Sequence, residues 1–260
     1  MLVDEFWTAT NSGHPYPEGP RIGDAFGELY LRSVMGESAM EIYERDDGYL
    51  IVSDVAKYVA PPGDWPQVEQ WALERASGRV LDVGCGAGRA AVPLQERGEF
   101  VVGLDISPGA VEAARKRGVR RLFEGTVREH AAESPRYDTF LLLGGNLGLL
   151  ESAEKAPGFL SALSAMSAPG ARIIGIGTDP YESTNPLATS YNERNRRLGR
   201  MAGQLRARIR FEDLATPWFD YLRCSLDELN ELLTGSDWRL GDVNTDWHPH
   251  YCVELHLRRA

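Results

Sequence analysis

Cysteine is scarce in this chain of 260 residues: Cys85, Cys224 and Cys252 stand far apart, with no CxxC pair and no histidine at zinc-ligand spacing. That excludes a disulfide framework and a structural zinc site as organising features. Long apolar runs are missing too. None approaches the roughly 18 residues a membrane-spanning helix needs, and the opening MLVDEFWTATNSGHPYPEG lacks the basic-then-apolar order of a signal peptide. A cytoplasmic protein with no membrane partner is expected. Positive charge is in deficit, with 28 Lys and Arg against 38 Asp and Glu and a formal net charge of -10. This works against nonspecific attraction to nucleic acid. Internal repeats and low-complexity tracts are absent. What is present, 43% hydrophobic and 25% charged residues, suits one large globular domain or a domain with an attached cap.

The charge is uneven along the chain. Residues 1–70 hold thirteen acidic and four basic side chains, whereas seven arginines fall between Ser190 and Glu212. Up to about Ser77 the pattern reads as mainly helical, with Ile22, Phe26, Leu29 and Tyr30 at 3- and 4-residue spacing and Ser53 as an N-cap for a short helix ending near Val59. Residues 1–76 are therefore expected to form a helical N-terminal cap. From residue 77 short apolar runs alternate with helical stretches, the pattern of a parallel sheet covered on both faces. The predicted strands are 79–83, 100–105, 121–124, 139–143 and 172–177, with helices over 89–97, 108–117 and 157–167. An insertion at about 180–224 carries a helix over 187–200. After it, Leu205, Ala207, Ile209 and Phe211 alternate with Arg206, Arg208 and Arg210, a half-buried strand. A second strand over 218–224 would complete a hairpin. Ser225-Leu226-Asp227-Glu228 then opens a helix with a capping box, and two antiparallel strands, 238–243 and 251–257, end the chain.

The sharpest signal is Val80-Leu81-Asp82-Val83-Gly84-Cys85-Gly86-Ala87-Gly88-Arg89, an apolar strand running through three glycines into a helix. Glycines permit a tight turn and close approach of a ligand to the backbone, and the helix start offers free N–H groups. A dinucleotide fingerprint would place its third glycine where Arg89 stands. The spacing is GxGxG with an acid before it, which argues against NAD. Seventeen residues after Gly88, Asp105 ends the next strand, where a carboxylate can accept both hydroxyls of a ribose.

Loop, acid and strand-helix order together resemble the class I S-adenosylmethionine-dependent methyltransferases, over about residues 77–178. The resemblance implies an α/β fold with a Rossmann-like seven-stranded sheet whose last strand is antiparallel, and S-adenosyl-L-methionine as cofactor. It implies that Gly84, Cys85 and Gly86 approach the methionine part, with Asp82 and Gly88 completing the motif, Asp105 on the ribose and Ile106 on the adenine face. The usual acid near the adenine amino group is missing from Glu124-Gly125-Thr126-Val127, so Thr126 or the Val127 N–H substitutes. In the loop after the fourth strand, the Gly144 carbonyl would accept from the methionine ammonium and Asn146 would bond the acceptor.

That loop lacks the Asn/Asp-Pro-Pro-aromatic pattern of amine-directed members, and it lacks a carboxylate for magnesium. Metal-independent transfer to an oxygen or nitrogen of a small organic molecule is the expected activity. Candidate bases at the carboxyl edge of the sheet are Asp179, Tyr181, His248 and His250, with His14 in the N-terminal segment as another. Tyr43, Tyr49 and Tyr58 either line the pocket or pack within the cap. Arg206, Arg208 and Arg210 read most simply as a solvated strand face. Two alternatives stay open: a methyltransferase acting on RNA or protein, and a non-catalytic S-adenosylmethionine-binding protein. The oligomeric state is not legible.

Overall fold

The computed structural model describes residues 19–258. In chain order the elements are β1 (Arg21–Ile22), α1 (Ala25–Val34), β2 (Met40–Arg45), β3 (Leu50–Asp54), α2 (Gln67–Arg75), β4 (Arg79–Val83), α3 (Ala91–Glu96), β5 (Phe100–Asp105), α4 (Pro108–Lys116), β6 (Leu122–Glu124), α5 (Val127–Ala132), β7 (Tyr137–Leu142), α6 (Ala156–Ala165), β8 (Ser167–Thr178), α7 (Pro186–Arg197), β9 (Gln204–Phe211), β10 (Leu214–Ala215), β11 (Phe219–Leu222), α8 (Leu226–Leu232), β12 (Trp238–Trp247) and β13 (His250–Leu257). Short 3-10 turns lie at Val55–Tyr58, Pro62–Asp64 and Asn146–Leu150.

Seven strands form the core sheet in the order β12-β13-β8-β7-β4-β5-β6. Strands β4 to β8 pair in parallel, and β13 runs antiparallel between β8 and β12. The α/β expectation with a final antiparallel strand holds. Buried clusters cover both faces, one around Leu81, Phe140 and Trp238 and the other around Val80, Leu94 and Ile174. Because β4 neighbours both β5 and β7, the strand order reverses there and opens a crevice at its carboxyl end.

A second sheet, ordered β1-β10-β9-β2-β3 with β11 also on β9, joins the front of the chain to the insertion. The expected hairpin of the insertion is present as β9 and β11. The front is part helix, as expected, and part strand: β2 and β3 form a hairpin that adds to β9. The hairpin escapes hydrophobic periodicity because its pattern is inverted. Glu41 and Arg45 are the buried residues of β2, whereas Leu50, Ile51 and Val52 of β3 are exposed. The short helix expected to start at Ser53 is a 3-10 turn capped by Asp54, whose carboxylate accepts from Ala56 N–H. Within the 1–76 segment, α2 packs with the core through Val68, Ala72 and Leu73 rather than with the cap sheet.

Helix α1 sits on the core through one shared acid. Asp24 caps α1 by accepting from Gly27 N–H at 2.9 Å, and it also accepts from Ser107 Oγ and from Gly109 N–H at the start of α4. Two helix N-termini thus converge on one carboxylate, which favours negative charge there. Gly27 and Gly109 let the helices touch: a Cβ on either would lie 2.7 or 2.5 Å from the other's Cα.

Candidate functional site

The glycine loop leaves β4 at the strand-order reversal. Gly84 and Cys85 both donate to the Leu104 carbonyl, and Gly86 N–H donates to Asp105 Oδ2 at 2.9 Å. The three motif glycines are held by different neighbours. A Cβ on Gly84 would meet the Asn146 amide at 2.5 Å, one on Gly86 the Tyr30 ring at 2.9 Å, and one on Gly88 the Val119 side chain at 2.4 Å. All three have positive φ.

Asp105 uses its other oxygen to accept from Ser107 N–H at 3.0 Å. Each carboxylate oxygen keeps a further acceptor position, so ribose hydroxyls remain compatible with these bonds. Burial, followed by the Asp24 charge among the raising causes, lifts the Asp105 carboxyl above its ordinary value. Asp82 is 3% exposed and its Oδ2 has no hydrogen-bond partner. Burial raises its pKa from 3.8 to about 7, with Arg89 opposing and Asp105 reinforcing. Arg89 is itself engaged: it pairs with buried Glu69 at 2.5 Å and lies over the Trp65 ring. Glu69 also accepts from Gly144 N–H at 3.2 Å, so α2 ties the two candidate loops together. The site is electronegative at its base, a setting for a cationic rather than an anionic ligand.

The remaining cofactor candidates divide. Ile106 is 70% exposed beside Asp105, open to a flat partner. Gly144 adopts φ +65° with open space where a Cβ would stand. The Cys85 side chain points toward Gly103 of β5, and burial pushes its thiol well up, so only the backbone of this residue faces the loop. Thr126 closes a capping box on α5, its hydroxyl engaged with Glu129, and the Val127 side chain is buried. Of that pair the Val127 N–H is the group left to offer. The Asn146 amide nitrogen donates to the Val83 and Gly84 carbonyls at 3.0 and 3.1 Å, bracing the glycine loop.

Among the base candidates, His250 Nδ1 lies 2.9 Å from Thr178 Oγ1, and burial together with the Arg223 charge lowers its pKa. Asp179 accepts from Tyr181 N–H at 2.8 Å and lines a small cavity with Thr178 and Pro249. His248 is exposed; Tyr181 hydrogen-bonds Glu228. His14 lies outside the described residues. Cys224 and Cys252 are buried in the core.

Sequence reasoning missed the tyrosines over the loop. Tyr30 is wedged against Gly86 and packs edge-on with Tyr58, whose hydroxyl reaches Glu41 at 2.5 Å. Tyr221 lies flat on the second loop, its ring against Gly148 and its hydroxyl near Gly145. Of the strand arginines Arg206 is exposed, as expected, and lies 3.7 Å from Asp220, whereas Arg208 and Arg210 are half-buried and pair with Glu44. Among the described residues no three His, Cys, Asp or Glu side chains gather to hold a metal, and no helix is long and apolar enough to cross a membrane.

Residues 80–170 match the family model described as methyltransferase domain. A curated relative, the ubiquinone biosynthesis O-methyltransferase of Aeromonas salmonicida, is 25% identical over 152 residues, covering 49% of this chain and 62% of that protein. The namesake from Vibrio campbellii is 32% identical over 38% of this chain and 43% of its own length. The chain thus spans less than two thirds of these relatives. Among solved structures, a SAM-dependent methyltransferase from Bacteroides fragilis in complex with S-adenosyl-L-homocysteine superposes with a TM-score of 0.79, at 22% identity, over 90% of this chain and 95% of that one. The CcbJ methyltransferase from Streptomyces caelestis follows at 0.56 and 15% identity, over 78% and 98%.

Proposed function

We propose that this chain, which has the fold of the S-adenosylmethionine-dependent methyltransferases and matches their domain family over residues 80–170, moves a methyl group to an oxygen or nitrogen of a small organic molecule. The observation that carries the reading is the acid pair at the glycine loop. Asp82 is buried and Asp105 half-buried, both are raised in pKa, and the Arg89 charge that acts on Asp82 is paired with Glu69. Such a base suits a sulfonium and ammonium, and it disfavours the diphosphate of NAD.

S-adenosylmethionine supplies, when bound, a methyl on a positively charged sulfur that departs by in-line displacement. Gly84, Cys85, Gly86 and Gly88 present backbone along its methionine end, Asp82 faces that end as counter-charge, and the Gly144 carbonyl accepts from the ammonium. Asp105 holds the ribose. Ile106 and the Val127 N–H take the adenine, with Thr126 serving as the helix cap that aims that N–H. Asn146 positions the loop from behind. Much of the acceleration in such a displacement comes from fixing the acceptor and excluding water. The cap sheet and α7 cover the carboxyl edge and supply that enclosure. Where the acceptor must lose a proton, His250 is the better base: its lowered pKa keeps the imidazole neutral at pH 7. Asp179 beside it is the second candidate, and exposed His248 the third. The acceptor class is supported by enclosed cavities rather than an open basic face.

Calorimetric titration with S-adenosylmethionine, S-adenosylhomocysteine and NAD tests this. Both sulfur ligands should bind and NAD should not. Asp105→Ala should weaken them by about 1–3 kcal/mol through lost charge-assisted hydrogen bonds. Unchanged affinity in that variant, or binding of NAD alone, refutes the assignment.

A further inference from the structure

Two adjoining cavities, of 160 and 50 Å³, lie between the cap hairpin, the start of α7 and the carboxyl edge of the core sheet. Both are lined by Arg45 and Arg223. The two arginines differ in what they already hold. Arg45 is 4% exposed, gives two hydrogen bonds of 2.7 Å to Asp47 and one to the Leu187 carbonyl, and lies between the Tyr49 and Tyr191 rings. Its charge is spent. Arg223 is half-buried, and among the described residues its guanidinium makes no ion pair and no side-chain hydrogen bond. The nearest acid on the cavity walls, Asp179, belongs to the smaller chamber and accepts from the Tyr181 N–H instead. No Asp or Glu lines the larger one.

A guanidinium drawn partly out of water without a counter-charge is costly, and its planar fork matches two oxygens of a carboxylate. A second group in the same cavity is also unmatched. Among the described residues Tyr43 Oη is buried without a hydrogen-bond partner; burial raises its pKa, with the Arg223 and Arg45 charges opposing and Asp47 and Asp46 adding to the rise. Tyr221 feels the Arg223 charge too, and its ring lies on the Gly144–Gly148 loop that borders the reaction site. Free donors therefore line the cavity, and Tyr221, which interacts with both Arg223 and Tyr43, carries its ring on the Gly144–Gly148 loop.

We infer that the methyl acceptor carries a carboxylate, which Arg223 binds with Tyr43 as second donor, leaving the atom to be methylated toward the Gly144–Gly148 loop. This rests on the methyltransferase reading above. One free guanidinium and one free phenol satisfy a monoanion. A phosphate dianion would bring a second charge with no second unpaired cation, since Arg45 is committed to Asp47.

The test is calorimetric titration, with and without saturating S-adenosylhomocysteine, using benzoate, 4-hydroxybenzoate and 3-phenylpropionate, each beside its primary amide. At least one acid should bind saturably and about tenfold or more tighter than its amide. Arg223→Gln should remove that preference while leaving S-adenosylhomocysteine affinity unchanged, which also reports an intact fold. Arg223→Lys should restore part of the preference, and Tyr43→Phe should lower acid affinity by about threefold to tenfold. Equal binding of acids and amides, no saturable binding of any acid, or a preference that survives Arg223→Gln overturns the inference. A wild type that fails to bind S-adenosylhomocysteine defeats the methyltransferase reading instead. The comparison run without that ligand still decides the carboxylate site.

Discussion

Replacing Asp82 by Asn tests the electrostatics of the glycine loop without changing its shape. The carboxyl is 3% exposed, has one oxygen without a partner, and titrates near 7 in the fold against an ordinary 3.8. A folded pKa above the unfolded one means that the native state binds the extra proton. Stability is then fully present below about pH 4 and is lost as pH rises toward 7. At about 1.4 kcal/mol per pH unit, the interval from 3.8 to about 7 amounts to at most ~4 kcal/mol. Asp82→Asn carries no such cost. The difference in unfolding free energy, variant minus wild type, should therefore grow from pH 4 to pH 7 and level off above it, measured from urea midpoints at unit pH steps. The variant should also bind S-adenosylmethionine more weakly, since the counter-charge is gone. Wild type should release more protons on binding at pH 6 than the variant, read by calorimetry in two buffers of different ionisation enthalpy. Unfolding curves that stay parallel across this pH range would refute the assignment of a buried, raised carboxyl at Asp82.

Three further outcomes follow from the same geometry. Gly88→Ala places a Cβ 2.4 Å from Val119 at φ +74°, so melting should report a loss of about 2–4 kcal/mol. Glu69→Gln strands the Arg89 guanidinium beside the loop and should cost about 3–5 kcal/mol, whereas the double change with Arg89→Met should recover most of it. For an acceptor that must be deprotonated, kcat/KM should fall only as pH drops below the ordinary histidine value of 6.5, because burial lowers the His250 pKa. His250→Asn should abolish that acidic limb.

Much of the core was legible because β4, β5, β7 and the second half of β8 are buried on both faces, so their apolar runs read directly. The helix α5 went unread although Thr126 and Glu129 form a capping box, the same local signal that marked α8 at Ser225. The β2–β3 hairpin went unread for a different reason. Its inward face carries Glu41, Tyr43 and Arg45, so the apolar residues that normally announce a buried face are on the outside. Asp47-Gly48 at its turn, with Gly48 at φ +85°, was the available clue. In the site, the glycine loop and Asp105 are adjacent in strand order and announce themselves. Tyr30, Glu69 and Arg223 come from distant segments with no local signature, and tertiary contacts bring them to the loop: Asp24 seats α1 on α4, α2 packs with the core, and β2 pairs with β9.

That inverted hairpin ties fold to chemistry. A strand that turns Glu41, Tyr43 and Arg45 inward gives up hydrophobic burial, and such a loss persists when the polar groups find partners. Glu41 finds Lys57, Ser53 and Tyr58, and Arg45 finds Asp47, whereas Tyr43 finds none. The unmatched donor lines the same cavity as the guanidinium of Arg223. On the proposed reading, negative charge stands at the glycine loop and positive charge in the cap cavity. A cationic methyl donor and an anionic acceptor each find the complementary end, and exchanging them would set like charges together at both. On the proposed reading, orientation of the two reactants is thus built into the charge pattern before either contact becomes specific.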